Sequence, residues 1–430
     1  MTKLNKIKPF EQLSDKEWEY YSNFLVTELD STWLNKTSSN PIQLLWKRND
    51  YPASQELYIL AKAMENLKNI DKICYETQLK KIKSKDYNTS KGHCFEVIAL
   101  SYFQNNYKMY PTSKGKPGVD ATMEYNNTEI NWSFKNFGIS QAQIDFENKS
   151  KNIENISKNL FGKKGIYNFD LSIIFMQYPS TKDIWDKLEQ DIIKSIQQYS
   201  HIPIVNENER LKYCYRICNI NEENLSNNQL SYTFTALCPY HKNEEKNFCS
   251  KLEDAVANLL SHSLLKDKNK VLKNALLIHI PETINISDCL EWGQQYLDDS
   301  TKEINLLSFY QTYISQNKAT SGIYHAWRYL NKDLILPMPM HIEVPVGTIT
   351  DETYGYMIDS TKETLKNCYV YQHGDIYRNP TIGPNGTITG NLESIAIGIK
   401  TNTVVSLPNS NQSFIITPKI FSPDNKLLIL

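Results

Sequence analysis

Apolar positions recur at helical spacing through the first quarter of the chain. From Ser54 to about Lys85, Leu57, Leu60, Ala61, Met64, Leu67 and Ile70 share one helical face, and a second helical pattern runs from Ile73 to Ile82; together they predict an antiparallel helical pair. Asn88-Thr-Ser-Lys-Gly-His then gives a capping-type start to a strongly apolar helix through Phe95, Val97, Ile98, Ala99, Leu100, Tyr102 and Phe103 that ends near Asn105. Upstream, residues 1–53 mix short helical patterns, such as Glu11 to Leu29, with polar connections, and read as an N-terminal helical extension.

After Asn106 the period changes from helical to strand-like. Tyr107 to Tyr110, Val119 to Tyr125 and Glu129 to Lys135 are three short extended runs, separated by the turn signals Lys114-Gly-Lys-Pro-Gly118 and Asn126-Asn127. Further strands are expected at Phe169 to Gln177, Tyr213 to Ile220, Leu230 to Leu237, Ala275 to Ile280 and Ile304 to Tyr313. Amphipathic helices are expected between them, at Lys182 to Tyr199, Glu244 to His262 and Ser287 to Leu297. Strands alternating with helices predict an α/β fold with a mixed sheet flanked by helices. From about Asn317 the tight-turn signals Val344-Pro-Val-Gly and Asn379-Pro-Thr-Ile-Gly-Pro-Asn-Gly, with repeated Ile/Val/Thr runs, predict a β-rich C-terminal domain over residues 317–430, interrupted by a helix at Asp351 to Lys366.

Composition narrows the classes. At 430 residues the chain has room for two or three domains of roughly 100–200 residues each. Lys plus Arg at 47 against Asp plus Glu at 48 leaves a formal charge of −1, so a surface basic all over is excluded and any nucleic-acid contact must be local. The first two dozen residues hold no apolar run of signal-peptide length, and no later stretch reaches the roughly 18 apolar residues of a membrane span, so the expected location is the cytoplasm. Eight cysteines spread through a chain of this size read as reduced thiols.

The chemistry gathers around the strand meander. Glu96 lies on the apolar helix, Asp120 at the start of the second strand and Lys135 at the end of the third, and a hairpin turned at Asn126-Asn127 lets Asp120 and Lys135 meet. Two carboxylates and a lysine supply what phosphodiester hydrolysis needs. The carboxylates are oxygen ligands for Mg²⁺, which needs only one or two of them beside water and phosphate, and the lysine orients the attacking water or contacts the phosphate. The surrounding segment is locally basic: from Lys80 to Lys116 there are eight lysines and only Asp86 and Glu96 as acids. Within it Lys91, Lys114 and Lys116, together with Asn136, are the candidate nucleic-acid contacts. A second cluster, Lys149, Lys151, Lys158, Lys163 and Lys164, follows.

Gly92-His-Cys-Phe-Glu96-Val-Ile-Ala-Leu, then Gly118-Val119-Asp120 and Asn131-Trp-Ser133-Phe-Lys135, resembles the PD-(D/E)XK nuclease superfamily, which includes many restriction and DNA-repair endonucleases. The resemblance covers roughly residues 90 to 140, with the strand at Phe169 to Gln177 as the expected continuation. It implies a restriction-endonuclease-like core over residues 54–316, with Glu96 as the helix carboxylate, Asp120 as the principal metal ligand and Lys135 as the catalytic lysine. The implied activity is Mg²⁺-dependent endonucleolytic cleavage of DNA, in bacterial restriction or anti-phage defence, by a homodimer or with a partner subunit. Ser133 stands where the family has an acid two residues before the lysine. Three readings are open: Ser133 reaches the metal through water, Glu129 or Glu124 substitutes as a ligand, or the chain is a nucleic-acid-binding or scaffold subunit that no longer cuts. Glu129 shares strand parity with Lys135 and is the better substitute.

Other patterns add less. Cys214 and Cys218, with Cys238, His241 and Cys249, have the residue types of a zinc cluster, but the first two fall within an expected strand and read as buried thiols. His93 neighbours the candidate site, and Gln141 and Gln143 open a short helix, Ser140 to Phe146, after the third strand. Neither a phosphate-binding GXXXXGK(S/T) loop nor a nucleophile elbow occurs.

Overall fold

A computed structural model describes residues 8–9, 13–48, 51–107, 109–112, 118–166, 169–219, 232–262, 270–281, 284, 286–299, 301–317 and 320–332, and the short strands 341–344, 347–350, 368–374, 388–389, 403–406 and 413–416. The expected helix at Asp351 to Lys366 and most of the C-terminal region lie outside these residues.

Six helices come first: α1 (Asp15–Leu29), α2 (Ser31–Leu34), α3 (Pro41–Lys47), α4 (Tyr51–Ile70), α5 (Lys72–Ile82) and α6 (Tyr87–Tyr107). The apolar stripe of α4 is buried at Leu57, Leu60, Ala61, Met64 and Leu67, as its spacing requires. The meander follows as β1 (Met109–Pro111), β2 (Ala121–Tyr125) and β3 (Thr128–Asn136), all antiparallel. Asn126 takes the left-handed conformation (φ 52°) that a tight two-residue hairpin needs and that asparagine tolerates.

The strand that continues this sheet is not Phe169 to Gln177. β3 pairs in parallel with β8 (Val271–Ile280), which pairs in parallel with β9 (Leu306–Asn317), and β10 (Thr320–Asn331) closes the edge antiparallel to β9. The order is β1-β2-β3-β8-β9-β10. Between β3 and β8 the chain builds a second mixed sheet from β4 (Phe169–Phe175), β5 (Ile204–Asn208), β6 (Tyr213–Asn219) and β7 (Tyr232–Pro239), with helices α7 (Gln141–Lys163) and α8 (Lys182–Gln198). Two short strands, β11 (His341–Val344) and β12 (Gly347–Thr350), pair with each other, and β13 (Cys368–Gly374) then adds to the second sheet to give the order β13-β7-β4-β6-β5. Beyond residue 317, β10 stays in the first sheet and β13 joins the second.

The first sheet is covered on both faces. Ala121, Met123, Ile130, Trp132, Phe134 and Leu277 pack into one core with α4 and α6. Alternate positions, including Leu276, Ile278 and Phe137, pack into another with α9 (Glu244–His262) and α10 (Ile286–Asp298). The second sheet has its own core with Phe146 and Phe161 of α7 and Trp185, Leu188 and Ile192 of α8. β4 is buried along its whole length, with the polar Asp170 and Ser172 alternating with Phe169, Leu171 and Ile173. Among the described residues no helix is long and apolar enough to cross a membrane.

Two of the lysines in the second basic cluster have internal work. Lys164 Nζ donates to the carbonyls of Ile196, Gln197 and Tyr199 at 2.8, 2.9 and 3.0 Å, closing the C-terminal end of α8, and Lys149 lies over the Trp185 ring at 5.6 Å. Lys164→Met is expected to lower stability by about 1–2 kcal/mol, because three terminal carbonyls lose a charged donor. Urea unfolding of the two proteins checks it, and an unchanged midpoint would remove Lys164 from this role.

Candidate active site

The hairpin and α6 bring Glu96, Asp120, Ser133 and Lys135 to one place. The β2–β3 register pairs Ala121 with Trp132, so Asp120 falls beside Ser133 where the regular ladder ends. There the Asp120 carboxylate takes the part of a strand: its Oδ2 accepts from the backbone N–H of Phe134 at 2.6 Å and from Ser133 Oγ at 3.0 Å. The Asp120 N–H meanwhile donates to the Trp132 carbonyl at 2.8 Å. Gly118 (φ 93°) supplies the turn that delivers Asp120, and it abuts the last turns of α9 so closely that a Cβ would lie 2.6 Å from the Asn258 carbonyl oxygen.

Glu96, partly buried on α6, is fixed by two neighbours on one oxygen: Gln78 Nε2 of α5 donates to Oε2 at 2.8 Å, and His93 Nδ1 lies 3.0 Å from the same atom. Burial pushes the Asp120 carboxyl up to about 6, the nearby Glu96 carboxylate pushes it the same way, and Lys135 and the two hydrogen bonds oppose them. These interactions tie the helix acid, the strand acid and the strand lysine into one electrostatic unit. Among the described residues the hydrogen bonds of Asp120 and Glu96 use one oxygen of each, Oδ2 and Oε2, leaving Oδ1 and Oε1 for a ligand.

Among the described residues no group of three or more His, Cys, Asp or Glu side chains is placed to hold a metal ion. Two carboxylates with one oxygen each to spare fit a hard cation that takes its other ligands from water and phosphate, as Mg²⁺ does, and such a cation would relieve the repulsion from Glu96 that adds to burial in raising Asp120.

Glu129 is not brought to this cluster. It pairs with Glu124 near the hairpin tip, four residues from Ser133, or about 13 Å along an extended strand. Glu129 is buried, with Oε1 lacking a hydrogen-bond partner among the described residues, whereas Glu124 is exposed and salt-bridged to Lys270 at 2.8 Å. Of the candidate nucleic-acid contacts, Lys114 and Lys116 lie outside the described residues. Lys91 is half-buried on α6. The amide oxygen of Asn136 is taken up by His279 Nδ1 of β8 at 2.7 Å. His279 is fully buried beside Phe95 and Tyr310, and burial, with the charge of Lys91, holds its imidazole well below the usual histidine range.

Gln78 and His279 escape the sequence reading. The i, i+4 pattern that places Gln78 on α5 carries no chemical mark, and His279 reaches Asn136 only through a parallel pairing 143 residues distant in sequence. Cys214 and Cys218 both lie in β6, where burial pushes their thiols up to about 12. No protein-family model matches the chain, and no curated protein matches it.

Proposed function

We propose that the chain is a metal-dependent endodeoxyribonuclease whose active site is Glu96, Asp120 and Lys135. The observation that carries this reading is the convergence of those three side chains at the point where β2 and β3 part, with Asp120 raised by burial and by Glu96 and lowered by Lys135. The setting, a mixed sheet with helices on both faces, is compatible with a restriction-endonuclease-like core.

In this reading Asp120 and Glu96 are the residues that would hold Mg²⁺. When bound, the cation supplies a water of lowered pKa and neutralises charge building on the phosphate oxygens. Ser133 and the Phe134 N–H keep the Asp120 carboxylate turned toward the ligand, while Gln78 and His93 do the same for Glu96. Lys135 contacts the phosphate or orients the attacking water. The exposed lysines of α5 and the following loop, Lys80, Lys81 and Lys85, add salt-dependent affinity for the backbone. A restriction or anti-phage role in the cytoplasm, and a dimer if both strands are cut, follow from the same proposal.

One observation favours a second reading, a nucleic-acid-binding subunit that does not cut. Ser133 spends its hydroxyl on Asp120 and offers no charge to a metal. The two readings separate on binding of the cation itself. Saturating Mg²⁺ is expected to raise the melting temperature of the wild type and to leave Asp120→Asn unmoved, since a ligand at a hundred times its Kd stabilises by about 2.7 kcal/mol. If wild type and variant respond alike, the carboxylates are not a metal site and the binding subunit becomes the better account. If Ser133→Asp is needed before plasmid DNA is cut, the site has lost its chemistry but kept its geometry.

A further inference from the structure

His279 is a polar side chain set into an apolar core. On β8 it is fully buried, with the ring of Phe95 at 5.1 Å and that of Tyr310 at 6.0 Å. An apolar residue would serve packing better, because Nε2 is buried with no hydrogen-bond partner among the described residues. What an apolar residue could not supply is the bond of the other ring nitrogen, since His279 Nδ1 lies 2.7 Å from Asn136 Oδ1. An amide oxygen only accepts, so Nδ1 carries the proton and Nε2 is a bare lone pair. Burial and the charge of Lys91 keep the ring neutral.

The bond fixes which end of the Asn136 amide faces out. Asn136 is half-buried, and with Oδ1 held by His279 its Nδ2 reaches solvent and has no partner among the described residues. Asn136 shares the strand parity of Trp132 and Phe134, which pack against α6, and so lies on the α6 side of the sheet. There it rests against Gly92, where a Cβ would stand 3.8 Å from Asn136 Cβ. Gly92 follows Lys91 and precedes Glu96 by four residues, or about 6 Å along the helix, and Asn136 itself follows Lys135. An accessible amine locked in one direction, with a lysine before it in β3 and another on α6, is placed for an oxyanion.

We propose that Asn136 Nδ2 donates to a backbone phosphate of the DNA strand held at Asp120 and Lys135, and that His279 is the positioning residue that turns the amide toward it. The inference rests on the nucleic-acid reading of the neighbouring site and adds to it a strand contact and the buried group that aims it. A neutral amide on a phosphate oxygen fixes the register of the strand and reads no sequence.

The test is equilibrium binding of labelled duplex DNA of several sequences by the full chain in EDTA, so that no strand is cut. Asn136→Asp keeps the oxygen that His279 holds and replaces only the outward amine. It is expected to weaken binding about tenfold or more on every sequence alike, as loss of a hydrogen bond to a charged group does. His279→Phe keeps a ring between Phe95 and Tyr310 and removes the Nδ1 proton. It is expected to weaken binding at least about threefold in the wild type and to cost nothing further in Asn136→Ala, because its effect runs through the amide. His279→Asn returns an N–H near the place of Nδ1 and is expected to bind within about twofold of wild type. Asn136→Asp, at an accessible position, keeps the contact testable if a core variant fails to fold. Equal losses from His279→Phe with and without the Asn136 amide, or a His279→Asn variant as weak as His279→Phe, overturn the positioning role. A loss confined to some sequences makes the amide a base reader and overturns the phosphate contact. Wild-type binding that Asn136→Asp leaves unchanged overturns the proposal alone, whereas no binding by the wild type overturns it together with the nucleic-acid reading. The expected pattern without cutting in Mg²⁺ leaves the contact standing and removes the nuclease.

Discussion

Asp120→Asn is expected to reduce Mg²⁺-dependent DNA cleavage by about 10³-fold or more while leaving the fold in place. The amide keeps an oxygen to accept from the Phe134 N–H and Ser133 Oγ, so the end of the β2–β3 ladder is preserved and only the charge is lost. Stability gives a second signature with a definite sign. The Asp120 carboxyl titrates at about 6 in the fold against an ordinary 3.8 when unfolded, so the folded chain holds this proton more tightly. The stabilisation from that proton is present below pH 4 and is lost as pH rises through about 6. The asparagine variant carries no such loss. Its stability relative to wild type is expected to rise between pH 4 and pH 7, by at most on the order of 3 kcal/mol. His279 pulls the other way, because an imidazole kept neutral in the fold takes up a proton on unfolding as pH falls below 6.5. It contributes equally to both proteins and cancels in the difference. Urea unfolding of both proteins across that range checks the sign, and a flat difference would place Asp120 in an environment unlike the one described.

Gly118→Ala is expected to be the most disruptive single-methyl change near the site. The backbone φ of 93° is closed to an L side chain at ordinary cost, and the added Cβ would sit 2.6 Å from both the carbonyl and the side-chain oxygen of Asn258 and 3.0 Å from His262 Nδ1. The side chains can turn aside, but the Asn258 carbonyl belongs to α9 and cannot. Left-handed strain of about 1–2 kcal/mol together with displacement of a helix end predicts a loss of about 3 kcal/mol or more. Because Gly118 lies two residues before Asp120, activity should fall further than the population of folded protein does. Thermal melting and cleavage rate measured on the same preparation separate the two effects. A variant as stable as wild type would contradict the close approach to α9.

The hairpin was legible because its signals are local. Asn126-Asn127 marks the turn, the alternation of Ile130, Trp132 and Phe134 marks the apolar face, and the register that sets Asp120 beside Ser133 follows from those two. Helix α9 shows the same legibility, since its apolar stripe, Phe248, Leu252, Ala255, Val256 and Leu259, repeats at helical spacing over the whole expected span. Partner choice among strands was not legible. A strand pattern such as Phe169 to Phe175 is the same whether it joins one sheet or another, and parallel pairing of β3 with β8 requires closing a long connection that no short pattern announces. The second sheet between β3 and β8, and the return of Tyr369 to it from far down the chain, belong to this class. So does Glu129: parity placed it on the face of Lys135, but parity says nothing of distance along the strand, and the register puts it at the far end of the hairpin.

The most direct test of the central claim is incubation of wild type and Asp120→Asn with plasmid and phage DNA in Mg²⁺ and in EDTA. The account predicts cutting by the wild type in Mg²⁺, none in EDTA and at least about 10³-fold less by the variant. Cutting by Asp120→Asn at the wild-type rate would contradict the site, and binding without cutting by the wild type in Mg²⁺ would contradict the enzyme.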